Sequence, residues 1–177
     1  VEPVTVDEFK IFLRITHDNE DSVLAGYIKA ARMFCENFTG KAFITRSYKV
    51  CYDRLRNMDL IVLPRAPLCD ISAVEIFATD DSKRALDDDQ YSIDRAAARI
   101  CMKPGTALNL PARAARLMEV TFTAGYGAAA EDVPESLRQA VLLKATQLYE
   151  DRGDVPVTMP FDMIASLLRP YKTMGIA

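Results

Sequence analysis

VTFTAGYGAAAEDVPESLRQAVLLKATQLYEDRG, residues 120–153, is the stretch whose reading decides the fold. It runs from an apparent strand through a glycine turn into a helix that opens at Pro134 and stops at Gly153. The strand reads as Arg116 to Thr123, with Met118, Val120 and Phe122 on one side, as period-two alternation requires. The run Gly125-Tyr126-Gly127-Ala128-Ala129-Ala130 has the form G-x-G-x-x-A between a strand and a helix, the pattern of a dinucleotide-binding turn. In such a fold the last small residue of the motif already lies in the helix, whose N-terminus faces the pyrophosphate. Here Glu131, Asp132 and Val133 intervene, and two carboxylates stand where phosphate must sit. After Gly153 only 24 residues follow, with no strand to complete a βαβ unit. The stretch reads instead as a glycine-permitted turn from strand to helix.

Outward from this junction the chain is helical at both ends. Pro134 sits in the first turn of the downstream helix, where its missing N–H does no harm. Leu137, Ala140, Val141, Leu143, Leu148 and Tyr149 form its broad apolar face. A last helix, about 161–169, carries Ile164, Leu167 and Leu168 and stops before Pro170. At the other end, Thr5-Val6-Asp7-Glu8 fits a capping box. It predicts a short helix to about Leu13 that buries Phe9, Phe12 and Leu13. The polar run Thr16-His17-Asp18-Asn19 breaks it and supplies the next cap. The second helix, about 20–39, places Val23, Leu24, Tyr27, Ile28, Ala31, Phe34, Cys35 and Phe38 at the 3.6-residue period, with Gly40 as its stop.

Between the helical ends the period changes to two. Ile44, Tyr48, Val50 and Tyr52 alternate with Thr45, Ser47, Lys49 and Cys51. Further short strands are expected at Met58–Leu63, Ile71–Ala78, Tyr91–Ile93 and Arg99–Met102. Short strands at close spacing favour antiparallel pairing, since parallel pairs need long crossovers. The expected class is therefore α+β, mainly helical, in one domain over 1–177. Its helices lie at about 6–13, 20–39, 134–151 and 161–169, and its antiparallel β-rich insertion at about 42–123.

Composition narrows the function. Of 177 residues, 50% are hydrophobic and 27% charged, which is ordinary for a globular domain with a core of its own. The net charge is −3 and no block of Lys and Arg occurs, which argues against tight DNA binding. No apolar run reaches the roughly 20 residues of a membrane helix, and the acidic start lacks a signal-peptide pattern, so synthesis in the cytoplasm is expected. Cys35, Cys51, Cys69 and Cys101 have no C-x-x-C spacing, so buried free thiols are expected, with no metal or disulfide.

Catalytic chemistry finds little to work with. His17 is the one histidine and reads as a solvated linker residue. No serine has a nucleophile-elbow context. Asp80, Asp81, Asp87, Asp88 and Asp89 flank Lys83 and Arg84 in what reads as a hairpin loop. They lack the spacing and glycine of a calcium loop, so a solvated acidic loop is the default reading and an acidic surface that repels DNA the functional alternative. Arg95, Arg99, Arg113 and Arg116 are scattered, fitting either subunit contacts or a solvated face. The apolar side chains of the last segment, Phe161, Ile164, Leu167, Leu168 and Tyr171, either complete the core or dock on a partner. Completing the core is the first reading, and the separating stretch 154–160 makes docking on a partner the second.

The ordered set of segments resembles a known family. The set is Leu13-Arg14-Ile15, then the acidic turn Asp18-Asn19-Glu20-Asp21, Phe38-Thr39-Gly40-Lys41-Ala42 and Leu63-Pro64-Arg65-Ala66-Pro67-Leu68. It continues with Thr121-Phe122-Thr123-Ala124-Gly125-Tyr126-Gly127, the run Asp132 to Ala140, and Leu168-Arg169-Pro170-Tyr171-Lys172. Together these are similar to the head–tail connector (adaptor) proteins of long-tailed bacteriophages and phage-derived gene transfer agents. The segment Asp53 to Asp59 departs from many relatives in lacking a tryptophan. The resemblance implies a helical bundle with a β-rich insertion, no catalysis and no cofactor. It implies a ring, typically dodecameric on the particle, that joins the portal to the next tail or stopper protein and leaves a channel for DNA. On this reading the last segment docks on the portal, and the acidic loop lies near the channel or an adjacent subunit. A different tail-completion component, or a small ligand-binding or enzyme domain, are the alternatives.

Overall fold

The computed structural model describes residues 1–53, 59–77, 82–106, 117–151 and 161–172. Within it, Val1–Ile44 with Tyr126–Ala177 form one compact unit and Thr45–Gly125 a second.

The first unit is helical. Thr5 opens α1 (Val6–Leu13) as expected: its hydroxyl accepts the Glu8 N–H at 3.1 Å, and the Glu8 carboxylate accepts the Thr5 N–H at 2.8 Å. This satisfies donors that a helix start otherwise leaves without partners. Arg14 ends the helix in the left-handed conformation, φ 58°. α2 (Asp21–Thr39) ends where predicted, at Gly40 with φ 71°. Its start differs: Glu20 holds the cap position and no side chain caps the helix. Asp18 is drawn instead to the Lys10 ammonium, which also bonds Asp21 at 3.0 Å. A 3-10 turn, Ala130–Asp132, leads into α3 (Glu135–Glu150), and Pro134 stands at its cap position. The helix closes at Asp151, and Gly153 lies outside the described residues. α4 (Phe161–Leu168) runs into a 3-10 turn, Arg169–Tyr171.

The four helices share one apolar core of Phe9, Leu24, Ile28, Ala31, Cys35, Phe43, Leu137, Ala140, Val141, Ala145, Ile164 and Leu168. Burying each large side chain contributes roughly 1.5–3 kcal/mol. Two expected core residues are not there: Phe12 is 44% exposed and Val23 45%. On α1, Phe12 and Lys10 flank the buried Phe9 on opposite sides, and it is Lys10, tied to its two aspartates, that is covered.

The second unit is antiparallel β, as the short spacing predicted. β1 (Arg46–Tyr52), β7 (Met118–Ala124), β3 (Leu68–Phe77) and β4 (Lys83–Ala85) form one sheet in that order. β2 (Leu60–Val62), β6 (Arg99–Met102) and β5 (Tyr91–Asp94) form a second, also in that order. β7 is central because Met118, Val120, Phe122 and Ala124 are all fully buried on one side, and Tyr48 stacks on Phe122 at 5.6 Å. β4 was not expected: Lys83 and Arg84 lie in a strand paired with Phe77 and Ile76, and not in a hairpin loop. Among the described residues the fold is α+β, with four α-helices and two antiparallel sheets. Residues 78–81, Met58, Arg113 and Arg116 lie outside the described residues.

Candidate functional site

The Gly125–Ala130 turn carries its own carboxylate. The Asp132 side chain accepts the Ala129 N–H at 2.9 Å, in the place a phosphate would need. A Cβ on Gly127 would stand 2.0 Å from the Asp132 Oδ2, so this position admits no side chain. On either side the backbone is tied down: the Gly125 N–H bonds the Pro67 carbonyl at 3.0 Å and the Tyr126 N–H bonds the Phe43 carbonyl at 3.2 Å. The dinucleotide reading is closed by occupancy as well as by charge.

Buried charges in the helical unit hold its N-terminal segment. Arg32 donates to Glu2 and to Glu36, each at 2.6 Å, and the second Glu36 oxygen accepts the Phe43 N–H at 2.9 Å. Arg138 on α3 donates to the Pro3 carbonyl at 2.9 Å, to Glu8 at 2.5 Å and to Glu135 at 3.0 Å. The Thr5 backbone N–H, with Arg138, holds the Glu8 carboxyl below its ordinary range. In the β unit, Glu119 is 7% exposed on the polar side of β7. Lys83 reaches it at 2.6 Å and Lys49 at 2.9 Å, and these hydrogen bonds hold its carboxyl down at about 2.

The residues singled out from the sequence fall in three groups. Ile164 (1% exposed) and Leu168 (fully buried) are part of the helical core. Leu167 and Tyr171 pack partly against that core, and the Tyr171 hydroxyl bonds Ser136 at 2.8 Å. Phe161 begins α4, but its side chain lies outside the described residues. Asp80 and Asp81 also lie outside them, whereas Asp87, Asp88 and Asp89 form an exposed turn. Asp88 accepts the Tyr91 hydroxyl at 2.8 Å, and burial with this bond pushes Tyr91 up to about 12. The α4 side chains belong to the helical unit and the acidic turn to the β unit.

His17 is exposed, as the linker reading expected. The cysteines are all free, but only Cys35 is buried, where desolvation pushes its thiol up to about 12. Cys51 and Cys69 are exposed because strand alternation turns them to the outer side, and Cys101 is half-buried. Among the described residues no cluster of acidic, His and Cys side chains could hold a metal, and no helix is long and apolar enough to cross a membrane.

Two features escaped the sequence. One is an apolar groove of about 520 Å³ between the N-terminal segment, α2 and the alanine run, lined by Val1, Val4, Val6, Ala25, Ile28 and Ala128 among others. The run Ala128-Ala129-Ala130 is its only sequence signal, three side chains too small to fill the space beside them. The other is a pair of exposed apolar residues on α1, Ile11 at 78% and Phe12.

Comparison with known proteins completes the site. The family model for head completion proteins matches residues 2–153. A chain in the neck of an empty gene transfer agent particle, computed with C6 symmetry, is 30% identical with TM-score 0.81, covering 99% of this chain and 92% of its own. A chain in the virion of a native gene transfer agent particle is 28% identical with TM-score 0.81 and the same coverage. A chain in the native neck computed with C12 symmetry is 30% identical with TM-score 0.78, covering 97% and 90%. No curated protein matches by sequence. The junction fits this likeness, being closed to nucleotide and built to turn the chain, and the chain belongs to the head completion protein family, structural proteins of the virion neck and not enzymes.

Proposed function

We propose that this chain is a subunit of the head-to-tail connector ring of a phage or gene transfer agent particle, joining the portal to the next tail or stopper protein. The observation that carries this is the likeness over 99% of the chain to a subunit of a symmetric particle neck. The ring is dodecameric on the particle, and DNA passes through it without tight binding. The net charge of −3 supports that, because basic walls would hold phosphates and slow ejection. The chain is made in the bacterial cytoplasm, takes no cofactor and contacts no membrane. Its four helices act as a bundle around their shared core, and the two units work as one domain.

Segment 161–172 docks on the portal. Ile164 and Leu168 are committed to the chain's own core, so this contact uses Met163, 47% exposed, and the outer edges of Leu167 and Tyr171. The turn Asp87–Asp89, with Asp80 and Asp81 beside it in sequence, faces the channel or a neighbouring subunit.

The test is the size and shape of the protein with and without its cognate portal, by sedimentation and electron microscopy. A ring in either state is expected. A monomer that ignores the portal overturns the reading, and binding to tail proteins alone replaces it with a tail-completion role. Removing 154–177 weakens portal binding if the docking assignment is right, and an unchanged complex refutes it.

A further inference from the structure

The helical unit carries both an apolar groove and an exposed apolar pair on α1. The groove opens beside Val6 at the start of α1, is apolar inside, and carries exposed Glu131 on its rim. Ile11 and Phe12 leave the last turn of the same helix toward solvent, with Arg14 exposed next to them. At 100° per residue, Ile11 points ~140° around the helix axis from Val6. A subunit therefore cannot fill its own groove with its own knob. Among the described residues neither Arg14 nor Glu131 makes an ion pair. Burying a side chain as open as Ile11 in such a groove removes apolar surface that the isolated subunit leaves in water.

We infer that the groove formed by the N-terminal segment, α2 and Ala128–Glu131 receives Ile11 and Phe12 of a second copy of this chain, with Arg14 of the incoming copy paired to Glu131 on the rim. Knob and hole on separate faces of one subunit make a heterologous contact, the kind that repeats around a ring. The opposite charges set the register of the apolar insertion. A contact of this form needs no metal, no cofactor and no rearrangement of the helical core.

This inference rests on the ring reading above, and the experiment separates the two. The full chain is studied by sedimentation and electron microscopy, alone and with portal, as wild type and as Ile11→Gln, Ala128→Trp, Arg14→Glu, Glu131→Arg and the double charge swap. Ile11, Ala128, Arg14 and Glu131 all stand at the surface or groove wall, so melting by circular dichroism serves as the folding control. Ile11→Gln and Ala128→Trp are expected to shift the ring toward monomer. Each single charge reversal weakens assembly by ~2- to 5-fold, the range of a rim ion pair, and the double swap restores it. Rings of wild-type stability in Ile11→Gln and Ala128→Trp overturn the contact while leaving the connector role intact. So does a double swap no better than either single change. An Ala128→Trp protein that keeps its ring but loses the portal assigns the groove to the portal, and overturns it too. A wild type that never assembles removes both the ring and this contact.

Discussion

Gly127 and Asp132 form the smallest unit of this structure that has a definite consequence. The carboxylate folds back over the glycine to take the Ala129 N–H, and the 2.0 Å clearance forbids a methyl group. Asp132→Ala removes that bond and should cost about 0.5–2 kcal/mol, the range for losing such a cap. Gly127→Ala should cost more, because its Cβ would also stand 2.4 Å from the Asp132 Cβ, an atom that Asp132→Ala retains. Urea midpoints of the two variants check this, and a Gly127→Ala loss no greater than that of Asp132→Ala would refute it.

Glu119 is the other residue whose chemistry is set by its neighbours. Its carboxyl is held at about 2 against an ordinary value of 4.5, chiefly by Lys83 and then by Lys49. A depressed carboxyl contributes stability that is complete above its unfolded value and is lost as pH falls toward the folded one. The wild type should thus exceed Glu119→Gln by a constant margin above pH 4.5, and the gap should close between pH 4.5 and about 2. Denaturant curves at stepped pH measure it. A gap unchanged at low pH would show that the lysines do not act through the charge.

At the scale of elements, α4 shows how burial divides one helix between two tasks. Its inner side chains, Ile164 and Leu168, complete the core, and Met163 faces outward. Leu168→Ala leaves a cavity in packed surroundings and should cost about 2–5 kcal/mol. Met163→Ala should change stability by no more than about 0.5 kcal/mol. Thermal melts separate the two, and equal losses would mean that α4 is not packed as described. Arg138 plays a similar joining part: through Pro3 and Glu8 it fastens the start of the chain to α3, residues more than a hundred positions apart in sequence.

Over the whole molecule, the chain passes from the helical unit to the β unit after Ile44 and returns before Tyr126. The β unit is one continuous stretch, Thr45–Gly125, whereas the helical one needs both chain ends to assemble its core. If the two act as one domain, far-UV and near-UV signals and calorimetry should report a single coincident transition. Two separated transitions would divide the chain into independently stable parts.

Much of this was legible in the chain because periodicity and caps are local. The Thr5–Glu8 box, the Gly40 stop, the alternation of Met118, Val120 and Phe122, and the carboxylates that bar phosphate all act within a few residues of where they are written. The resemblance read from ordered motifs was likewise a property of sequence, and the family match over residues 2–153 bears it out. What only the tertiary structure decided depends on partners distant in sequence. β4 forms because β3 offers an edge, Glu119 is buried because Lys49 and Lys83 arrive from two other strands, and Ile164 and Leu168 are interior because α2 and α3 cover them. Residue type states what a side chain would gain from burial, and the packing of remote elements decides which side chains obtain it.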